Sequence, residues 1–199
     1  MTTKAAPKQD TRQVLLEAGI AIMMEKGYNN TGIQEVLSSV GIPKGSFYHY
    51  FDSKEDFAIE IIKHFDTAYS AKIMACLRDT SLSPLTRLKN YCESGRANLA
   101  ANQCRKGCLI GNLSQEMADQ SETLRKALSK VMAKWRELFA SCIEEGQKKG
   151  EISKKHSADK LAEMFLSSWE GAVMRGKTTK CTEPLDVFIE VYFGDFLKP

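Results

Sequence analysis

No stretch of this 199-residue sequence approaches the roughly 18 consecutive apolar residues that a membrane-spanning helix needs. The opening residues, Met1–Gln13, lack the apolar core of a secretory leader, so the protein is expected to be cytoplasmic, with no membrane partner. Histidine is scarce: only His49, His64 and His156 occur, and no paired-histidine motif exists. Cys104 and Cys108 lie four apart without a second ligand pair at finger spacing, so no metal site and no cofactor are expected. A glycine-rich phosphate loop is also missing, which removes the common nucleotide-binding enzymes. No charge of one sign dominates, and a net charge of +3 neither demands nor excludes nucleic acid. Proline is rare, at five residues, and no alternating strand pattern, internal repeat or low-complexity segment is visible.

What is present is helical periodicity. Apolar residues recur at three- and four-residue spacing, and the 43% hydrophobic content is enough to bury a real core. The fold class expected is all-α, with about nine helices. The first spans Asp10–Lys26, with Val14, Ala18 and Ile22 on one stripe and Gly27 as its C-cap. A second follows Thr31, which with Gln34 reads as a capping box, and stops at Gly41. Pro43 opens a short third helix to about Tyr50. Ser53 caps a long fourth, with Glu55 and Asp56 in its first turn favouring the dipole, reaching about Arg78. Further helices are expected over about 84–101, 105–118, 121–149, 157–177 and 184–197. The six cysteines are scattered and are expected to be free thiols, mostly small buried hydrophobes.

Two short helices joined by Val40-Gly41-Ile42-Pro43 have the form of a helix-turn-helix. Phe47 and Phe51, four apart, can anchor the second helix to a core. That leaves Lys44, Ser46, Tyr48, His49 and Tyr50 to face outward, as a major-groove helix requires. Lysine can reach a phosphate or a guanine edge, and hydroxyls can donate to phosphates. The bland alternative is that these side chains merely cover a small domain. Within residues 1–56, six cations (Lys4, Lys8, Arg12, Lys26, Lys44, Lys54) face seven anions, so binding must rest on where the charges sit and should be strongly salt-dependent.

The run Thr31-Gly32-Ile33-Gln34, continued by Val40 to Glu55, resembles the N-terminal signature of tetracycline-repressor (TetR) family regulators. The resemblance implies a homodimer reading a near-palindromic stretch of double-stranded operator DNA. It implies a DNA-binding domain over 1–52 and an effector-binding and dimerisation domain over 53–199, with the last two helices building the dimer. The implied DNA-binding residues are Thr31, Gln34, Lys44, Gly45, Ser46, Tyr48, His49, Tyr50 and Lys54. Tyr48 and Lys54 match positions that touch phosphates, and Thr31 and Lys44 match positions that clamp the DNA.

The segment from Arg105 to Met117, with Ser168-Trp169-Glu170-Gly171-Ala172 and Lys177, is similar to a narrower branch of that family, which holds acrylate-responsive and N-ethylmaleimide-reductase repressors. It implies a small-molecule effector that is reactive, unsaturated or oxidising. The residues agree in part. Cys108 follows Gly107 at an expected helix start, with Arg105 and Lys106 nearby, and positive charge and a helix N-terminus both lower a thiol pKa. Lys177 is its expected charged neighbour, because Trp169, Val173 and Lys177 share one face at four-residue spacing. Cys104 would be a resolving thiol if the helix extended back to it. Phe65, Tyr69 and Trp169 are expected beside the effector, and Asn112, Arg96, Arg175 or Lys177 would meet a carboxylate. The alternatives are plain core for each aromatic, an inert buried Cys108, and a reversible non-covalent ligand. A thiol-dependent enzyme is disfavoured, since the histidines lie far from Cys108 in sequence.

Overall fold

A computed structural model describes residues 10–199, and every described element is helical. Residues 1–9 of the N-terminal stretch read for a leader, Lys4 and Lys8 among them, lie outside the described residues. In chain order come α1 (Thr11–Lys26), α2 (Ile33–Ser39), a 3₁₀ helix (Lys44–His49), α3 (Lys54–Leu77), α4 (Pro84–Ala101), α5 (Leu109–Met117), α6 (Glu122–Lys148), α7 (Ala158–Thr179), α8 (Glu183–Val191) and a π-helical turn (Tyr192–Phe196). No helix among the described residues is long and apolar enough to cross a membrane.

Most helix starts are set by short polar side chains. Asp10, Ser53, Ser83, Ser121 and Ser157 each accept a backbone N–H of the first turn, worth about 1 kcal/mol apiece. At Ser53 the cap is reinforced, because Asp56 reaches back to accept the Asp52 N–H. The capping box expected at Thr31 and Gln34 does not form. Thr31 is buried and its hydroxyl donates to the Gly27 carbonyl, while Gln34 donates along α2 to Ser38. Gly32 takes the cap position without a side-chain bond. The short third helix is 3₁₀ rather than α, and the last expected helix ends its α geometry at Val191.

The helix expected over 105–118 is shorter and begins at Leu109. Gln103 and Cys104 adopt positive φ, which reverses the chain after α4 and leaves Cys108 as the N-cap residue. Cys104 is therefore not one helical turn from Cys108, and it is buried. That removes the geometric premise for a resolving thiol.

Helix α6 is the spine, packing against α3, α4, α5 and α7, while α8 lies on α7 and α4. Trp135 of α6 is buried against Tyr69, and its indole N–H donates to Asp66 and Ser70 of α3. The buried Arg87 of α4 makes a two-pronged bond to Glu145 of α6 at 2.8 Å on each side and caps the Leu77 carbonyl. That fork and Lys149 hold the Glu145 carboxyl down at about 2. The C-terminal helices thus form one interlocked body, and α1 is packed on it through α3 and α5.

Candidate functional site

The helix-turn-helix is built around one aromatic anchor. Phe47 is fully buried, with its ring 5.2 Å from both Phe51 and Phe57, and Phe51 lies 4.7 Å from Phe57. Burying a phenylalanine stabilises by roughly 1.5–3 kcal/mol, which fixes the face of the 3₁₀ helix. Gly41, at φ +68°, makes the turn that leads into it. With Phe47 inward, Lys44, Gly45, Tyr48, His49 and Tyr50 are exposed and Ser46 is half-buried. Tyr48, at 58% exposure, is a large ring left mostly in water, touching the buried Phe47 ring edge-on at 5.3 Å between centroids.

Other sequence-derived candidates stand elsewhere. Thr31 has its hydroxyl committed to the interior, whereas Gln34 is exposed at the start of α2. Lys54 is turned toward the α1–α2 turn. Its ammonium donates to the Asn29 carbonyl at 3.3 Å and sits 4.5 Å from the centre of the Tyr28 ring. Partial burial lowers its pKa.

The same turn is gripped from below. The Glu116 carboxylate accepts the backbone N–H of Tyr28 at 2.7 Å and of Asn29 at 2.8 Å, and Gln120 accepts the Asn29 amide. Gly27, at φ +78°, has no Cβ, and a methyl there would meet this carboxylate. Ser121 hydrogen-bonds Glu55 at the start of α3. Helix α5 therefore carries Glu116 at one end, under the α1–α2 turn, and Cys108 as its cap at the other. Sequence reasoning missed Glu116, since nothing in a linear pattern pairs residues nearly ninety positions apart.

At the Cys108 end lies a cavity of about 410 Å³ between α5, α6 and α7, with Cys108, Gly111, Asn112, Glu170, Val173 and Lys177 in its wall. The Cys108 thiol sulfur accepts the Gly111 N–H at 3.4 Å, as a serine oxygen would at an N-cap. Lys177 donates to Asn112 at 3.0 Å across the cavity wall, so this ammonium and amide do meet. Arg96 instead pairs with Asp186, and Arg175 lines a separate groove between α7 and α8.

Two electrostatic expectations are overturned. The charged group beside the thiol is Glu170, not Lys177, and Arg105 and Lys106 are exposed. Burial first, and the Glu170 charge second, push the Cys108 thiol well above its ordinary range instead of lowering it. Burial likewise pushes the Glu170 carboxyl up to about 7, partly offset by a hydrogen bond from Cys108. Sequence reasoning quoted Glu170 without giving it a role. The signal was there: 170, 173, 174 and 177 form a helical stripe, and an acid on a packed stripe is rarely incidental.

The aromatic candidates sit behind the cavity. Phe65 stacks on Tyr69 at 5.4 Å, and Tyr69 and Tyr91 share a hydroxyl hydrogen bond of 2.9 Å. Trp169 is buried against Tyr91, Phe165 and Phe188. None of the three expected aromatics is in the cavity wall. Burial and, next, Cys108 raise the Tyr69 pKa, so the tyrosine pair backs onto the thiol from the core side.

Comparison with known proteins covers both halves of the chain. Residues 15–61 match the family model of bacterial regulatory proteins of the tetR family, and residues 84–192 match the tetracyclin repressor-like C-terminal domain. The chain is 38% identical over 185 residues to the transcriptional regulator AcuR of Cereibacter sphaeroides, covering 93% of this chain and 84% of that protein. It is 28% identical over 179 residues to the transcriptional repressor NemR of Escherichia coli, covering 90% of each. The crystal structure of reduced NemR from E. coli superposes with a TM-score of 0.86 over 96% of this chain and 99% of that one, at 28% identity. The regulatory protein TetR from Rhodobacter sphaeroides superposes with a TM-score of 0.88 over 93% of this chain and 98% of that one, at 38% identity.

Proposed function

The chain belongs to the TetR family of bacterial regulators, and on that premise we propose that its first helices hold operator DNA until a small electrophile enters the cavity at Cys108. It is a transcriptional repressor of that family, and the relatives are regulators, not enzymes. Regulators of this family bind operator DNA as dimers. The DNA-facing set is Lys44, Gly45, Ser46, Tyr48, His49 and Tyr50, with Gln34 beside it; Thr31 and Lys54 act on DNA only by holding the α1–α2 turn. The division of labour falls near residue 52, at the cap of α3.

The observation that carries the effector reading is that Cys108 caps one end of α5 while Glu116, at the other end, holds the turn on which α2 is mounted. A group added to the thiol enlarges a packed wall. Rigid helices shift as units when packing changes, so α5 would pull on the Tyr28–Asn29 turn and alter the separation of the two recognition helices. An effector moves this equilibrium only by its differential affinity for the two arrangements.

Dimerisation through α7 and α8 is supported by the apolar groove between them, about 580 Å³, and by Met174, Val187, Val191 and Phe196, which are all more than a third exposed. A reversible reading of the effector site has its own support. The Lys177–Asn112 pair offers a cation and an amide to a carboxylate, and the thiol is held protonated. One experiment separates them. DNA release by N-ethylmaleimide and by acrylate is measured for the wild type and Cys108→Ser. Loss of the N-ethylmaleimide response in the variant supports the covalent switch. Unchanged release by acrylate in Cys108→Ser, abolished by Lys177→Ala, supports the reversible site.

A further inference from the structure

Resting on the reading of Cys108 as the effector's target, we infer that Glu170 is the proton acceptor for Cys108, so that the cavity activates a protonated thiol toward α,β-unsaturated carbonyl compounds. A half-buried thiol whose pKa is raised by burial and a neighbouring carboxylate has little standing thiolate at neutral pH, and thiolate is the nucleophile. Such a thiol reacts only if its proton leaves as the new bond forms, which requires a base at hydrogen-bonding distance.

The geometry supplies one. The Gly111 N–H holds the sulfur at the head of α5. A methyl at Gly111 would overlap Glu170 Oε2 and lie 3.6 Å from Cys108 Cβ. The missing Cβ is therefore what lets the α7 carboxylate lie over Gly111, beside Cys108. Both groups open on the same cavity, large enough for a small unsaturated molecule.

The other titratable groups facing this pair are accounted for. From α3 and α4, the Tyr69 and Tyr91 hydroxyls bond each other, and burial holds both protonated. Lys177, on α7 itself, is a cation bonded to Asn112. Glu163, also in the cavity wall, is exposed. Helix α6 contributes Met132, which does not titrate.

The step balances without an oxidant. The S–H bond breaks and its proton moves to Glu170, while the sulfur electron pair forms an S–C bond at the β-carbon. The alkene π pair shifts toward the carbonyl oxygen, giving an enolate. The enolate takes the proton from Glu170, which returns to carboxylate, so the net change is addition of S–H across the double bond. With a Glu170 midpoint at about 7, the fraction of competent acceptor rises through neutral pH and then levels.

The test uses the full-length protein and limiting N-ethylmaleimide. Labelling of each cysteine is followed by peptide mass spectrometry from pH 5.5 to 8.5, with helicity and sedimentation checking each variant. In the wild type, Cys108 labelling should rise through about pH 7 and level off. Glu170→Gln should slow it at least about tenfold at pH 7.5 and remove the break. Glu170→Asp, which withdraws the carboxylate by one methylene, should be slower but keep the break. If Glu170 acts only as a negative charge opposing the thiolate, Glu170→Gln will label as fast as the wild type or faster, and the inference is overturned. Should Glu170→Gln not fold, wild-type speed with no break near 7 in Glu170→Asp overturns it equally. A wild type whose Cys108 stays unlabelled while other cysteines react overturns the covalent switch as well. Labelling of Cys108 with an unimpaired Glu170→Gln removes the proton acceptor alone.

Discussion

Replacing Glu116 by glutamine tests whether α5 connects the cavity to the helix-turn-helix. The native carboxylate accepts two backbone N–H groups, from Tyr28 and Asn29, at 2.7 and 2.8 Å. A hydrogen bond to a charged group is worth about 1.5–3 kcal/mol, and the lower end applies because Asn29 is exposed. Glutamine keeps nearly the same volume but has one accepting oxygen, and its amide nitrogen would face the second backbone donor. One bond is lost and one N–H must find water, a cost of roughly 1.5–2 kcal/mol. For a chain of this size that lowers Tm by about 3–8 °C. The more telling readout is coupling. The unmodified variant should still bind DNA, since the Phe47–Phe51–Phe57 anchor is untouched. What should shrink is the factor by which the electrophile weakens that binding, because reciprocal linkage needs a contact that both states bias. Thermal unfolding and a fluorescence-anisotropy titration, each with and without N-ethylmaleimide, measure the two quantities. A Glu116→Gln protein that melts with the wild type and releases DNA by the same factor would refute the reasoning.

Three further outcomes are expected. Tyr48→Phe and Lys44→Ala should weaken DNA binding with no change in helicity, as both side chains are exposed; Lys44→Ala should also reduce the slope of log K against log salt by about one, and an unchanged slope removes it from the phosphate contacts. Glu170 should make stability fall with rising pH. Its folded midpoint of about 7 lies above the ordinary 4.5, so the contribution is fully present below about 4.5 and is lost as pH climbs through 7, by up to about 3 kcal/mol. Denaturant unfolding of wild type and Glu170→Gln at pH 5 and pH 8 checks the sign: the variant should gain on the wild type at the higher pH. Val187→Glu, at a position 53% exposed on α8, should leave the chain folded but monomeric in sedimentation, and a persistent dimer would move the interface elsewhere.

Much of this protein was legible in its sequence because it is local. Helix periodicity, the serine cap at Ser53, the turn at Gly41 and the inward Phe47 all follow from neighbours a few residues apart. That is why the all-α class and the outward set from Lys44 to Tyr50 could be read directly. Local reasoning misplaced Thr31, where the same residue that can cap α2 finds a better acceptor in the buried end of α1. It also ran the α5 helix too far back, because only the packed structure requires the reversal at Gln103 and Cys104. The electrostatics of Cys108 were decided entirely by tertiary structure. In the linear chain its neighbours are Arg105 and Lys106, which would favour thiolate. In the fold those cations face water, where their field is screened, and the group that meets the sulfur in a low-dielectric wall is Glu170, sixty-two positions away. Sequence proximity decides which helices form; burial and the partner across the interface decide what a charged or nucleophilic side chain can do.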